Sequence, residues 1–215
     1  GQETITADAA ANVLNVVYGK NQTLGYVVNY YKDSVDKANL IHSDEGTGTF
    51  EDNIPYTNGE YLPDGYVAPG QVSGQSTITA DVEKNVLNVV YAKRTDLTYV
   101  VNYLEAGTNK VLANQKTREG QTFEAEVTES AIDIEGYNKV NPVSATITIG
   151  TGQNVINFYY TKRNDLTYTV NYLDSNDTTK KLADSKTVRN QTFEAQVTED
   201  AVIIPGYTVD ENSKS

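Results

Sequence analysis

The stretch Asn85–Leu104, NVLNVVYAKRTDLTYVVNYL, decides the fold. It holds two runs rich in Val, Leu and Tyr, the residue types that make strands. A short charged segment, Ala92-Lys93-Arg94-Thr95-Asp96, lies between them. The unit recurs at Asn12–Tyr31, NVLNVVYGKNQTLGYVVNYY, and at Asn154–Leu173, NVINFYYTKRNDLTYTVNYL. Recurrence this close marks a tandem array. The charged segment is too long and too polar for a tight turn and carries no Gly or Asn-Gly signal. The stretch therefore reads as a junction: the last strand of one module, a hinge, and the first strand of the next.

Landmarks set the register. Leu24, Leu97 and Leu166 open the first strands, at intervals of 73 and 69 residues, and Tyr18, Tyr91 and Tyr160 close the last strands at the same intervals. Gly-Tyr recurs at Gly65-Tyr66, Gly136-Tyr137 and Gly206-Tyr207, and Thr-Phe-Glu at Thr49–Glu51, Thr122–Glu124 and Thr192–Glu194. The chain is cut accordingly into residues 1–20, the final hairpin of a repeat; 21–93 and 94–162, two full repeats; and 163–215, a repeat without its final hairpin. Residues 1–20 match 74–93, so head-to-tail completion of one molecule's C-terminal repeat by another's N-terminal hairpin is one reading; a fragment cut without regard to repeat boundaries is the plainer one.

Strand alternation puts Leu97, Tyr99, Val101 and Tyr103 on one face, and Leu87, Val89 and Tyr91 on one face of the last strand. The opposite faces are half polar, which suits a sheet packed on one side. Lys110–Thr117 and Lys181–Val188 read as second strands. Thr128 and Thr198 are placed to cap a short helix within Glu124–Ile134 and Glu194–Ile204, with an irregular loop as the alternative. Ile54–Pro63, with Pro55, Pro63 and an Asn58-Gly59 turn signal, is expected to hold no helix.

A net charge of −12, from 17 basic and 29 acidic residues, repels a phosphate backbone or an anionic membrane surface. The absence of cysteine removes disulfides, thiolate metal sites and thiol nucleophiles. His42 is the only histidine, so no metal pair or triad forms around it, and a solvated histidine is expected. Asp174-Ser-Asn-Asp177 and Asp44-Glu45 offer oxygen ligands but not the spacing of a calcium loop, and the aligned turn Glu105–Asn109 has lost most of the acid. These read as acidic turns. Asn88 and Asn102 sit mid-strand and invite an isopeptide bond to lysine, but Lys93, Lys110 and Lys116 read as exposed. Cross-strand hydrogen bonds between asparagines are the expectation. No paired carboxylates recur in a buried setting, so no enzyme, cofactor or metal is expected. Tyr31, Tyr56, Tyr61 and Tyr159 read as partly exposed aromatics suited to stacking on sugar rings; the rest read as core and rim packing.

Leu97–Leu104 with its Val-Asn-Tyr, Gly136-Tyr137, Val155–Tyr160, Tyr168–Tyr172 and Pro205-Gly206-Tyr207 together form an ordered pattern. It resembles the MucBP (mucin-binding protein) repeat of Gram-positive cell-surface adhesins, over essentially the whole chain. The first full repeat departs from it with its two prolines. The resemblance implies a mainly β (α+β) fold of tandem small β-grasp (ubiquitin-like) modules in an elongated array, with first and last strands adjacent. If those strands are parallel, Asn102 and Asn157 are neighbours. It also implies an extracellular, wall-attached adhesin binding host mucin or other glycans, without assigning ligand-binding residues. The alternative is a stalk that projects a distal binding domain.

Overall fold

The computed structural model describes residues 4–210. The chain divides into two compact units, Gly1–Thr95 and Asp96–Ser215. In the first unit, β1 (Leu24–Lys32), β2 (Leu40–Gly48), β3 (Tyr66–Gly74) and β4 (Val86–Lys93) form one sheet in the order β2-β1-β4-β3. β1 and β4 are parallel, with Val27 opposite Val86 and Asn29 opposite Asn88. β2 and β3 add antiparallel edges. All of β4's pairing is with β1 and β3, as a strand belonging to this sheet requires. Two short 3₁₀ turns, Lys37–Asn39 and Val82–Lys84, are the helical pieces, and Ile54–Pro63 holds none.

The second unit repeats this order. β5 (Leu97–Glu105), β6 (Lys116–Gln121), β7 (Glu126–Ser130), β8 (Tyr137–Lys139), β9 (Ser144–Thr148) and β10 (Asn154–Lys162) follow in sequence. The sheet runs β6-β5-β10-β8, with β5 and β10 parallel. The expected alternation holds: Leu97, Tyr99, Val101 and Tyr103 are buried, as are Ile156, Phe158 and Tyr160 on β10. Leu87, Val89 and Tyr91 are buried in the same way on β4. The antiparallel β7–β9 pair lies against this face, with Val127, Ala145 and Ile147 packed on the core. β11 (Leu166–Asp174) and β12 (Asp177–Gln191) form a two-stranded antiparallel sheet.

Two sequence expectations are corrected. Thr128 caps no helix; it lies in β7, opposite Thr146, and the two hydroxyls meet at 2.8 Å. The segment alternates Glu126, Val127, Thr128, Glu129, and its β-branched residues gain more from a strand partner than from a short helix. Its counterpart 195–204, including Thr198, is neither helix nor strand. The second strand of the second repeat begins at Lys116; before it, Val111 makes only an isolated bridge to Leu104. Lys181–Val188 falls inside β12 as expected.

Candidate functional site

In parallel neighbours β5 and β10 the half-polar faces align, and Asn102 donates to Asn157 at 2.8 Å. Asn29 and Asn88 repeat the pair at 3.3 Å. The expected asparagine ladder is therefore present, with Gln115 donating to the Asn102 oxygen at 2.6 Å. The lysines considered for a crosslink are elsewhere: Lys93 faces Asp33 at 3.9 Å, Lys110 faces Glu194 at 3.9 Å, and Lys116 meets Glu129. Asp174 accepts from Lys180 at 3.0 Å and Asp177 from Thr179 at 2.6 Å, so these acids close their own turns. Among the described residues no His, Cys, Asp or Glu group of three or more is placed to hold a metal ion.

Aromatic and acidic side chains converge on the first unit instead. Tyr26, Val28 and Tyr30 share the inner face of β1, and His42 and Asp44 stand opposite Tyr30 and Val28 on β2. The connection between β2 and β3 brings Pro55, Tyr56, Thr57, Glu60 and Tyr61 over this face. The result is a groove of about 200 Å³ lined by Tyr26, Val28, Tyr30, Asp44, Glu45, Pro55, Tyr56, Thr57 and Glu60. Tyr61 packs beside the groove against its lining residues Tyr30 and Asp44. Its hydroxyl donates to Asp44 at 3.1 Å, its ring stacks on His42 at 4.1 Å, and Tyr30 meets it edge-on at 4.8 Å. His42 also contacts Asp44 at 3.0 Å and is exposed, as expected of a solvated histidine.

The electrostatics follow from this crowding. Burial, reinforced by the nearby Asp44 carboxylate, pushes the Tyr30 hydroxyl up to about 12. Tyr61 is also raised, by partial burial and then by its bond to Asp44. Both phenols keep their protons at neutral pH, and Tyr61 gives its proton to the Asp44 carboxylate. Tyr56 is 41% exposed and presents its ring at the groove mouth. Of the four tyrosines expected at the surface, Tyr56 and Tyr159 are open, Tyr61 is half covered, and Tyr31 is buried at 9% because it packs in the first sheet.

Three features were not singled out from sequence. The first is a buried asparagine. Asn154 accepts from the Gly150 N–H at 2.8 Å and donates to the Gly150 and Thr98 carbonyls at 3.0 and 3.1 Å. Asn85 does the same with Thr79 and Gly25 and is fully buried. The repeated Asn at the head of each NVLN-type run was the available signal. The second is a trio in which Tyr99 and Lys116 both bond Glu129 at 2.7 Å, repeated by Tyr168 and Lys186 on Glu199 at 2.5 and 2.7 Å. Lys116, and then Tyr99, hold the Glu129 carboxyl below its ordinary range, and Glu129 in turn pushes the Tyr99 hydroxyl up.

The third explains two of the sequence landmarks. Phe193 sits against Gly136-Tyr137, with the Tyr137 ring edge-on at 5.6 Å. Its N–H donates to the Arg163 carbonyl at 2.8 Å, while the Arg163 N–H donates to the Gly136 carbonyl at 2.9 Å. Glu194 binds Lys162 at 2.9 Å, which lowers the Glu194 carboxyl and raises the Lys162 ammonium. Gly136 is required twice over: its φ is +78°, and a Cβ there would lie 2.5 Å from the Phe193 ring. The Gly-Tyr corner of one repeat is thus the seat for the Phe-Glu of the next within this unit.

No protein-family model matches the chain. The chain is similar to repeats of mucus-binding proteins among solved structures. One is Mub-RV, 16% identical, covering 65% of this chain and 98% of that one, with a TM-score of 0.25. Another is the type 2 repeat of the mucus binding protein MUB from Lactobacillus reuteri, 16% identical, covering 64% of this chain and 98% of that one, with a TM-score of 0.24.

Proposed function

We propose that this chain is a tandem-repeat segment of an extracellular, wall-attached bacterial adhesin. Its repeats, at 21–93, 94–162 and 163–215, are small β-grasp modules, and it binds host mucin or another glycoconjugate. The observation that carries the binding role is the tyrosine–carboxylate groove of the first unit. Exposed aromatic faces stack on the C–H faces of sugars, and carboxylate acceptors at the rim match a ring of sugar hydroxyls. Asp44, Glu45 and Glu60 give the groove negative charge, so it favours neutral sugars over sialylated or sulfated ones. Neither a nucleic acid nor an anionic membrane fits a chain of net charge −12. Among the described residues no helix is long and apolar enough to cross a membrane.

A spacer role has one specific observation in its favour: the seating of Phe193 and Glu194 on Gly136, Tyr137 and Lys162, which fixes one repeat against the next. The test is multivalent display of the chain on beads over mucin and an array of neutral and sialylated glycans. Binding to neutral glycans, cut at least tenfold by Tyr56→Ala and by Glu60→Gln, is expected. No binding by the unmodified chain sinks the binding role and leaves the spacer.

A further inference from the structure

Tyr26 on β1 and Tyr99 on β5 hold the same place in their strands, but their surroundings differ. In the second unit Tyr99 donates to Glu129 at 2.7 Å, and Lys116 meets both oxygens of that carboxylate at 2.6 and 2.7 Å. Tyr99 is 7% exposed and the Glu129 side chain 12%. The β5–β6 register sets Arg118 opposite Tyr99 and Lys116 opposite Val101. At the same places the β1–β2 register sets Gly46 opposite Tyr26 and Asp44 opposite Val28.

The carboxylate has changed as well. Asn53 bridges Thr77 as Glu126 pairs with Thr148. Counted from those two residues, Tyr56 stands where Glu129 stands and Pro55 where Thr128 stands. Proline has no N–H, so the pairing stops at Pro55, whereas β7 runs on to Ser130. Tyr56 then lines the groove instead of joining an ion pair. Lys116, Arg118 and Glu129 are thus replaced by Asp44, Gly46 and Tyr56. Gly46 is needed for the new arrangement, because a Cβ there would collide with the Tyr26 ring. The groove beside Tyr26, Asp44 and Tyr56 is the corner that the second unit fills with its own side chains.

We propose that Lys116 and Glu129 hold shut, in the second unit, the counterpart of the first unit's groove, and that the residues at these three positions decide which unit takes the ligand. The choice of unit rests on the glycan reading above; the shutting does not. A sugar entering the second unit would have to strip Glu129 of charge-assisted bonds from Lys116 and Tyr99. That leaves a carboxylate and an ammonium unpaired in a half-buried corner, a loss that neutral hydroxyls do not make good. The residues lining the first unit's groove include no lysine or arginine, so a sugar beside Tyr26 and Tyr56 displaces water alone.

Two reciprocal variants of the full chain test this. The opening variant carries Lys116→Asp, Arg118→Gly and Glu129→Tyr. The closing variant carries Asp44→Lys, Gly46→Arg, Pro55→Thr and Tyr56→Glu. Hydroxyl-radical footprinting reads both corners without a ligand. Oxidation of Tyr99 should rise several-fold in the opening variant, and oxidation of Tyr26 should fall several-fold in the closing variant. Hydrogen-exchange protection over residues 97–105 and 154–162 shows whether the opening variant is folded. If it is not, the closing variant decides, since its new side chains already coexist in the second unit. On an array of neutral glycans the closing variant should lose binding, and a chain carrying both sets of substitutions should regain it. Unchanged Tyr99 oxidation in a folded opening variant, or unchanged Tyr26 oxidation in the closing variant, overturns the proposal. So does a closing variant that binds like the unmodified chain, or a chain with both sets that footprints as open yet does not bind. An unmodified chain that binds no glycan sinks the binding role alone, and footprinting then still decides whether Lys116 and Glu129 shut the corner.

Discussion

Asn154→Ala should open the β5–β10 pair while leaving β1–β4 intact. Asn154 is 9% exposed, and its three shortest side-chain bonds go to backbone groups: the Gly150 N–H, the Gly150 carbonyl and the Thr98 carbonyl. Alanine leaves all three without that partner, at a depth where water replaces it only partly. Each buried hydrogen bond is worth about 1 kcal/mol net, so the loss is about 2–4 kcal/mol. The Thr98 bond also ties the loop before β10 to β5, so the effect concentrates on that pairing. Native-state hydrogen exchange followed by mass spectrometry reads it repeat by repeat, which avoids fitting a multi-repeat chain to one transition. At about 1.4 kcal/mol per tenfold, protection over residues 97–105 and 154–162 should fall roughly 30- to 1,000-fold. Protection over residues 24–32 and 86–93 serves as the internal control. A fall of less than about threefold, or an equal fall in both sheets, would refute the assignment of Asn154 as the tie between loop and sheet.

Glu129 is held below its ordinary carboxyl range by Lys116 and Tyr99, so the folded state binds fewer protons than the unfolded chain as pH drops. The stability it supplies is present above the ordinary Glu range and is lost as pH falls through the lowered folded value. Glu129→Gln should therefore lower the melting temperature at pH 7 and have less effect near pH 3; equal effects at both would show the charge is immaterial. Gly136→Ala should cost about 1 kcal/mol or more, since it combines a positive φ with a collision against Phe193. It should be less than additive with Phe193→Ala in exchange protection over residues 160–165, because the second change relieves the collision. Strict additivity would mean Phe193 does not press on Gly136.

Much of the sheet was legible in the sequence because strand burial follows period-two alternation. Leu97, Tyr99, Val101 and Tyr103 fall on the buried face for that reason, and Asn102 meets Asn157 once the first and last strands run parallel. The Glu124–Ile134 segment misled because Thr128 followed by acids is equally a helix start and a polar strand; the partner Ser144–Thr148 decided between them. The groove was less legible. Tyr56 and Tyr61 were visible as aromatics, but their meeting with Tyr30, His42 and Asp44 depends on how the 54–63 connection crosses the sheet. No spacing in the sequence encodes that crossing. The trio of Tyr99, Lys116 and Glu129 was hidden for the same reason, its members coming from three strands.

The sequence by itself determined the repeat, the strand faces and the local loops. Asn12 folds its loop around Thr6 as Asn85 does around Thr79, using bonds that span six residues. The tertiary structure decided which of these segments become strands. Asn12–Tyr18 and Asn85–Tyr91 are identical in sequence, yet the second is a buried strand and the first is exposed coil. Glu124-Ala-Glu-Val-Thr-Glu129 and Glu194-Ala-Gln-Val-Thr-Glu199 differ at one position, yet only the first contains a strand, paired with β9. The physical reason is that a strand makes no hydrogen bonds within itself. Its backbone groups and its apolar face are satisfied only by a neighbour, and the neighbour is set by the fold.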